Sequence, residues 1–195
     1  MCVVSYTKNF IFFHVPKCGG KSMIDLIGDL SSFQTLFTHT HLTYLETKKI
    51  FEENGMLDWF NNARKFTIVR NPFNRMTSLY KYIQQNPNHY LHNRILNYDF
   101  TQFCYFVRNI GDEGIKKQFE HLENELGEID ESIQIFKLEE INNNLSELSD
   151  IIGRTITEFP LTNSSNYFFQ TSMESNLLIL DLYKKDLETF YHEMI

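Results

Sequence analysis

Apolar residues fall along this chain in two rhythms. Short unbroken runs end abruptly at prolines, glycines or charged residues, and longer stretches return an apolar side chain every three or four positions. The first rhythm predicts buried strands at Asn9–Val15, stopped by Pro16 and Gly19–Gly20, and at Lys65–Val69, with a third at Ser132–Lys137, where alternation passes into an apolar run. The second predicts helices over Ser22–Leu30, Thr43–Asn54 (ending at Gly55), Pro72–Gln85 (proline in the first turn), Asp99–Asn109, Glu113–Leu126, Leu138–Ile152 and Met173–Tyr191. Strands separated by helices predict a three-layer α/β sandwich, a central and mainly parallel sheet flanked by helices, with ligands bound beyond the carboxyl ends of the strands. The four prolines are scattered, and neither an internal repeat nor a Pro/Gly/Ser-rich linker divides the chain, so a single domain over 1–195 is expected.

Composition narrows this picture. With 42% hydrophobic and 22% charged residues in 195, the chain has material for a real core. A formal charge of -7 disfavours a broad nucleic-acid surface, so any anionic ligand must be held by a few placed cations. Cys2, Cys18 and Cys104 lie too far apart for a disulfide framework or a zinc motif, which suits a reducing compartment. In Met1–Phe13 a polar stretch, Ser5–Asn9, interrupts the apolar patches Cys2–Val4 and Phe10–Phe13, and no basic leader precedes them; this does not read as a signal peptide. No apolar run reaches the ~20 residues of a membrane span, so a cytoplasmic location is expected.

Both conspicuous motifs fall at predicted strand ends. The first is His14-Val15-Pro16-Lys17-Cys18-Gly19-Gly20-Lys21-Ser22. Two glycines let a backbone approach a ligand, a helix start points N–H groups at it, and Lys17, Lys21 and Ser22 add charge and a hydroxyl, which together make an anion cradle. The plainer alternative is a glycine turn with solvated lysines. Gly20-Lys21-Ser22 also matches the end of the nucleoside-triphosphatase loop G-x-x-x-x-G-K-[ST], but the first glycine of that pattern falls on Val15. The strand Phe66–Val69 is followed by Arg70 instead of a magnesium-binding aspartate.

The second motif runs from Phe66 to Tyr80 through Arg70-Asn71-Pro72-Phe73-Asn74-Arg75 and Ser78. Asn71, Arg75 and Ser78, spaced by four and three, share a helix face with Arg70 beside it, a set able to grip a phosphate through guanidinium forks and a hydroxyl. An ordinary surface arginine is the competing reading, stronger for Arg75 than for Arg70.

On these two motifs the chain resembles the sulfotransferases that use 3'-phosphoadenosine 5'-phosphosulfate (PAPS), in particular those acting on carbohydrates. The resemblance implies a P-loop-like sulfotransferase fold and a donor whose 5'-phosphosulfate is held by Pro16, Lys17, Cys18, Gly19, Gly20, Lys21 and Ser22. It implies that Arg70 and Ser78, in an R-N-P-[YF]-x-R-x-x-S-x-Y pattern, hold the 3'-phosphate. It extends more faintly to Glu139, to Asn163–Ser165 and to Leu182-Tyr183-Lys184-Lys185-Asp186. Lys21 stands where many relatives have threonine, and no R-K-G segment is present. A phosphotransferase using ATP or GTP, or a nucleotide-binding module without turnover, are the other readings.

Sulfuryl transfer asks for in-line positioning and for stabilisation of charge on the leaving phosphate, which falls to Lys17. The acceptor, a hydroxyl on a carbohydrate or glycoconjugate, needs a general base. The segment Phe37-Thr38-His39-Thr40-His41 offers two histidines, of which His41, next to a helix start, is preferred over His39. No metal is required by this logic. His89 and His92 read as loop or helix-start residues, His14 as a satisfied structural histidine, Cys18 as small packing, and Trp59 as an exposed stacking candidate.

Overall fold

The computed structural model describes residues 2–28, 34–36, 41–110, 116–160 and 171–194. Along the chain run β1 (Cys2–Ser5), β2 (Phe10–Phe13), α1 (Gly20–Ile27), β3 (Gln34–Leu36), α2 (Tyr44–Glu53), α3 (Leu57–Asn62), β4 (Arg64–Val69) and α4 (Pro72–Gln85). Then follow α5 (His92–Ile95), α6 (Phe100–Ile110), α7 (Gln118–Leu122), β5 (Ile133–Lys137), a 3-10 stretch (Leu138–Asn144), α8 (Leu145–Ile152), α9 (Met173–Leu182), α10 (Lys184–Phe190) and a last 3-10 turn (His192–Met194). Two compact units emerge, one from Met1–Val69 and Gln118–Thr162, the other from Arg70–Lys117 and Asn163–Ile195.

The first unit carries a five-stranded sheet in the order β3-β1-β2-β4-β5, flanked by helices. Its β2, β4 and β5 are parallel, as the alternation of strands and helices predicts. The N-terminal patches add what the pattern did not reveal, an antiparallel hairpin in which Cys2 faces Phe13 and Ser5 faces Phe10. The polar interruption is its turn, and Asn9 takes the left-handed conformation that asparagine tolerates better than most residues (φ 55°). β3 then pairs antiparallel with β1 at the edge. Strands buried along their whole length, such as β2, show no alternation because neither face meets water.

Local chemistry sets the boundaries around this sheet. Thr43 caps α2 by a reciprocal box: its Oγ1 accepts from Glu46 N–H (3.2 Å), while Glu46 Oε2 accepts from Thr43 N–H (2.8 Å). Arg64, at the start of β4, donates to the carbonyls of Asp150 and Ile151, both at 2.7 Å, and so satisfies the end of α8. Thr67 Oγ1 donates to Phe13 O at 2.9 Å, pinning the carboxyl end of β2 to β4.

Three predicted helices differ from the pattern. The helix expected to reach Leu126 stops at Leu122, because Asn124 Oδ1 accepts from the N–H groups of Leu126 (2.9 Å) and Glu128 (3.1 Å) and folds the chain into a turn. Leu138–Ile152 begins as the 3-10 stretch, where Asn142 Oδ1 accepts from Phe159 N–H (3.0 Å). The tail breaks at Tyr183 into α9 and α10.

The second unit is helical. Met76, Leu79, Tyr80 and Ile83 on α4 recur at the spacing of one helix face. They pack with Phe100, Phe103, Cys104 and Val107 of α6 and with Leu178 and Ile179 of α9. No helix among the described residues is long and apolar enough to cross a membrane.

Candidate active site

β2 ends at Phe13, and the chain turns through His14–Gly19 before α1 opens at Gly20. Lys17 (φ 66°) and Gly19 (φ 83°) both sit in the left-handed region, which costs a non-glycine residue about 1–2 kcal/mol and is retained where the surroundings enforce it. At Gly19 a side chain is excluded twice, by that φ and by Leu138 Cδ1, 2.8 Å from where a Cβ would stand. Gly20 is excluded differently: its Cβ would lie 1.9 Å from the Cδ2 and Nε2 of His14, whose ring rests against this backbone. α2 and α4 are capped by side chains, whereas α1 has no side-chain cap and no acidic residue in its first turn. Helix N–H groups so left are suited to an anion. Lys21 is exposed, Lys17 half-buried, and Ser22 and Pro16 buried. The Cys18 thiol points inward, donating to Gln118 Oε1 at 3.1 Å.

In the second unit Arg70 follows the last residue of β4 and is half-buried. Asn71 has a different task from the one its spacing suggested: its Oδ1 caps α4, accepting from Phe73 N–H (3.0 Å) and Asn74 N–H (3.3 Å), and Pro72 fills the first helical position. Arg75 corrects the reading of an ordinary surface arginine. At 4% exposure it is no surface arginine, and its Nη2 donates to Lys116 O at 2.9 Å while the guanidinium lies over the Tyr183 ring, 5.8 Å from its centroid. Ser78 is half-buried on α4.

Back in the first unit, His41 lies two residues before the Thr43 cap. Its Nδ1 lies 3.3 Å from the carbonyl oxygen of His14. A carbonyl only accepts, so Nδ1 carries the hydrogen, and in the neutral ring Nε2 is left with the lone pair. The His14 and His41 rings meet edge-to-face with centroids 4.8 Å apart. His14 is not the satisfied structural histidine expected: its Nδ1 is buried and has no hydrogen-bond partner among the described residues. Burial above all, then the positive charges of the amino terminus, His41, His121 and Lys17, hold its pKa well below the usual histidine range, so it is neutral. His39 lies outside the described residues. Among the described residues no cluster of histidine, cysteine and carboxylate side chains forms a metal site.

A family model described as the sulfotransferase family matches residues 1–109, which contain the cradle, the His41 segment and the Arg70 motif. The chain belongs to the sulfotransferase family. No curated protein and no solved structure shows a detectable match. As a family member it is a transferase that moves a sulfuryl group to a hydroxyl acceptor. In this sulfotransferase Trp59 is not an exposed platform; it stacks on Phe51 (centroids 5.4 Å, planes 11° apart) and packs against Tyr6 (4.8 Å). His92 is buried, its Nδ1 2.8 Å from Ile83 O, and His89 stacks on Tyr90 (4.8 Å). Glu139 is exposed in the 3-10 stretch, Tyr183 and Asp186 are buried, and Asn163–Ser165 lie outside the described residues. What the sequence reading missed is Gln118, which accepts from the Cys18 thiol and carries no spacing signature, and the contact of the His14 ring with Gly20.

Proposed function

We propose that this sulfotransferase takes PAPS as donor and a hydroxyl of a carbohydrate or glycoconjugate as acceptor, releases adenosine 3',5'-bisphosphate, and works as one domain over 1–195. The uncapped start of α1 behind two left-handed residues carries the reading: a preformed anion cradle whose glycines cannot be replaced without collision.

PAPS brings a sulfuryl group already activated on a phosphate leaving group. Pro16 to Ser22 receive the 5' end, with the N–H groups of Gly19, Gly20 and Lys21 and the Ser22 hydroxyl as donors. Arg70 and Ser78 hold the 3'-phosphate. Lys17 compensates charge that grows on the leaving phosphate as the sulfur–oxygen bond breaks, an interaction stronger in the transition state than in the ground state. His41 accepts the proton of the attacking hydroxyl on Nε2, with His39 the other candidate. Three buried thiols, Cys2, Cys18 and Cys104, joined by no disulfide, are consistent with a reducing, cytoplasmic setting.

The test is transfer of labelled sulfate from PAPS to a panel of oligosaccharides and simple alcohols, with binding of adenosine 3',5'-bisphosphate and of ATP measured beside it. Sulfated sugar, with the bisphosphate bound more tightly than ATP without magnesium, is expected. Tighter ATP binding overturns the donor assignment, and turnover confined to non-sugar alcohols overturns the acceptor class.

A further inference from the structure

His14 touches both halves of the chemistry in the first unit. Its ring lies against Gly20 in the cradle, runs nearly parallel to Phe12 (centroids 6.1 Å, planes 17° apart), and meets His41 edge-on at 4.8 Å. A phenylalanine would serve for packing alone. The imidazole instead leaves a buried nitrogen, Nδ1, with no hydrogen-bond partner among the described residues, an arrangement that ordinarily costs about 1–3 kcal/mol and calls for an explanation.

We infer that His14 is a positioning residue for His41: its Nδ1 accepts a hydrogen bond from the His41 imidazolium formed when His41 takes the proton of the attacking hydroxyl. This rests on the assignment of His41 as the base. In the resting state the His14 carbonyl holds His41 Nδ1–H at a long 3.3 Å. During transfer the hydroxyl oxygen bonds to sulfur, the bridging sulfur–oxygen bond breaks with its electron pair leaving on the phosphate, and the hydroxyl proton passes to His41 Nε2. The imidazolium then has two N–H donors, and a rotation of its ring, whose centroid lies 4.8 Å from that of His14, brings one to His14 Nδ1. For that, His14 must be neutral with its own hydrogen on Nε2. Burial above all, and then the charges of the amino terminus, His41, His121 on α7 and Lys17 on the loop, oppose a proton on His14. The neutral acceptor thus does for His41 what a carboxylate does in a triad, without adding a charge to a site built for anions.

The test uses the full chain, with histidine ring nitrogens observed by NMR during a pH titration and turnover measured on the same samples. In the wild type, His14 is expected as the Nε2–H tautomer; an Nδ1–H tautomer overturns the proposal without any variant. His14→Phe keeps the ring and its stacking but removes the acceptor. It is expected to lower the pKa of His41 by about one unit and kcat by about tenfold, with KM for PAPS unchanged. His14→Asn, which places an acceptor near the former Nδ1, is expected to restore both. An unchanged His41 pKa in His14→Phe, or no recovery in His14→Asn, overturns it. His41→Ala separates the two assignments: wild-type turnover in that variant removes His41 as the base, whereas loss of turnover there beside normal titration in His14→Phe refutes the role of His14 alone.

Discussion

Gly20→Ala is the sharpest probe of how the cradle is built. Gly20 is helical with negative φ, so a methyl there strains no torsion and brings up to about 1 kcal/mol of helix propensity. Against this stands the His14 ring, 1.9 Å away at Cδ2 and Nε2 and 2.7 Å at Cε1. The ring is no flexible end: Phe12 lies beside it and His41 meets its face or edge. Overpacking of this kind costs about 1–3 kcal/mol, so the net loss is about 1–2 kcal/mol. Urea denaturation of the wild type, Gly20→Ala, His14→Ala and the double variant isolates the cause. With His14 truncated the collision is gone, and Gly20→Ala becomes neutral or slightly stabilising, giving a coupling of at least about 1 kcal/mol. An equal penalty for Gly20→Ala in both backgrounds would refute the argument that the His14 ring is what demands glycine here. Binding of adenosine 3',5'-bisphosphate should weaken about tenfold in Gly20→Ala and recover partly in the double variant, since the N–H groups it displaces are those assigned to the 5' end.

Lys17→Ala should reduce kcat by about 10²-fold or more while donor affinity falls far less, measured by steady-state kinetics and by titration with adenosine 3',5'-bisphosphate; an unchanged kcat removes the role. Arg70→Ala should weaken PAPS about tenfold or more yet leave adenosine 5'-phosphosulfate, which lacks the 3'-phosphate, nearly unaffected, as competition assays would show. Tyr44 donates to Asp130 Oδ2 at 2.6 Å. Burial raises the pKa of Asp130, but hydrogen bonds from Ser132 and Tyr44 outweigh it and hold the group below 3.8. Its contribution is therefore present above the unfolded value and is lost as pH falls through the folded one. Tyr44→Phe should cost about 1 kcal/mol at neutral pH, and the difference from wild type should shrink once the pH drops below 3.8, followed by denaturant melts across that range.

The parallel part of the sheet was legible because its strands are apolar throughout and each ends at a residue that cannot continue it: Pro16 after β2, the Arg70-Asn71-Pro72 cap after β4. The boundaries of α2 and α4 were legible for a related reason, since Gly55 stops the first and Pro72 opens the second, while the caps at Thr43 with Glu46 and at Asn71 emerge in the structure. The hairpin was not. Its partners are separated by a turn marked by no more than the polar stretch Ser5–Asn9, and four-residue strands buried on both faces have no periodicity to display. The break at Tyr183 and the early end of α7 likewise follow from tertiary packing and from a side chain, Asn124, that outcompetes the helix.

The site divides along the same line. Residues assigned to a ligand through charge or backbone freedom announce themselves by type and spacing, so the cradle and Arg70 stand out in the bare sequence. Local and packing roles do not: Asn71, placed by its spacing beside Arg75 and Ser78, closes a helix end, and Arg75, which could be read as a surface residue, is buried against Lys116 and Tyr183. A histidine closing a buried strand usually is satisfied, whereas the His14 ring touches both Gly20 and His41 and keeps a buried Nδ1 with no hydrogen-bond partner among the described residues. Glycine at position 20 and histidine at position 14 are then a single requirement: the imidazole can approach His41 from beneath the cradle only because the residue above it has no side chain.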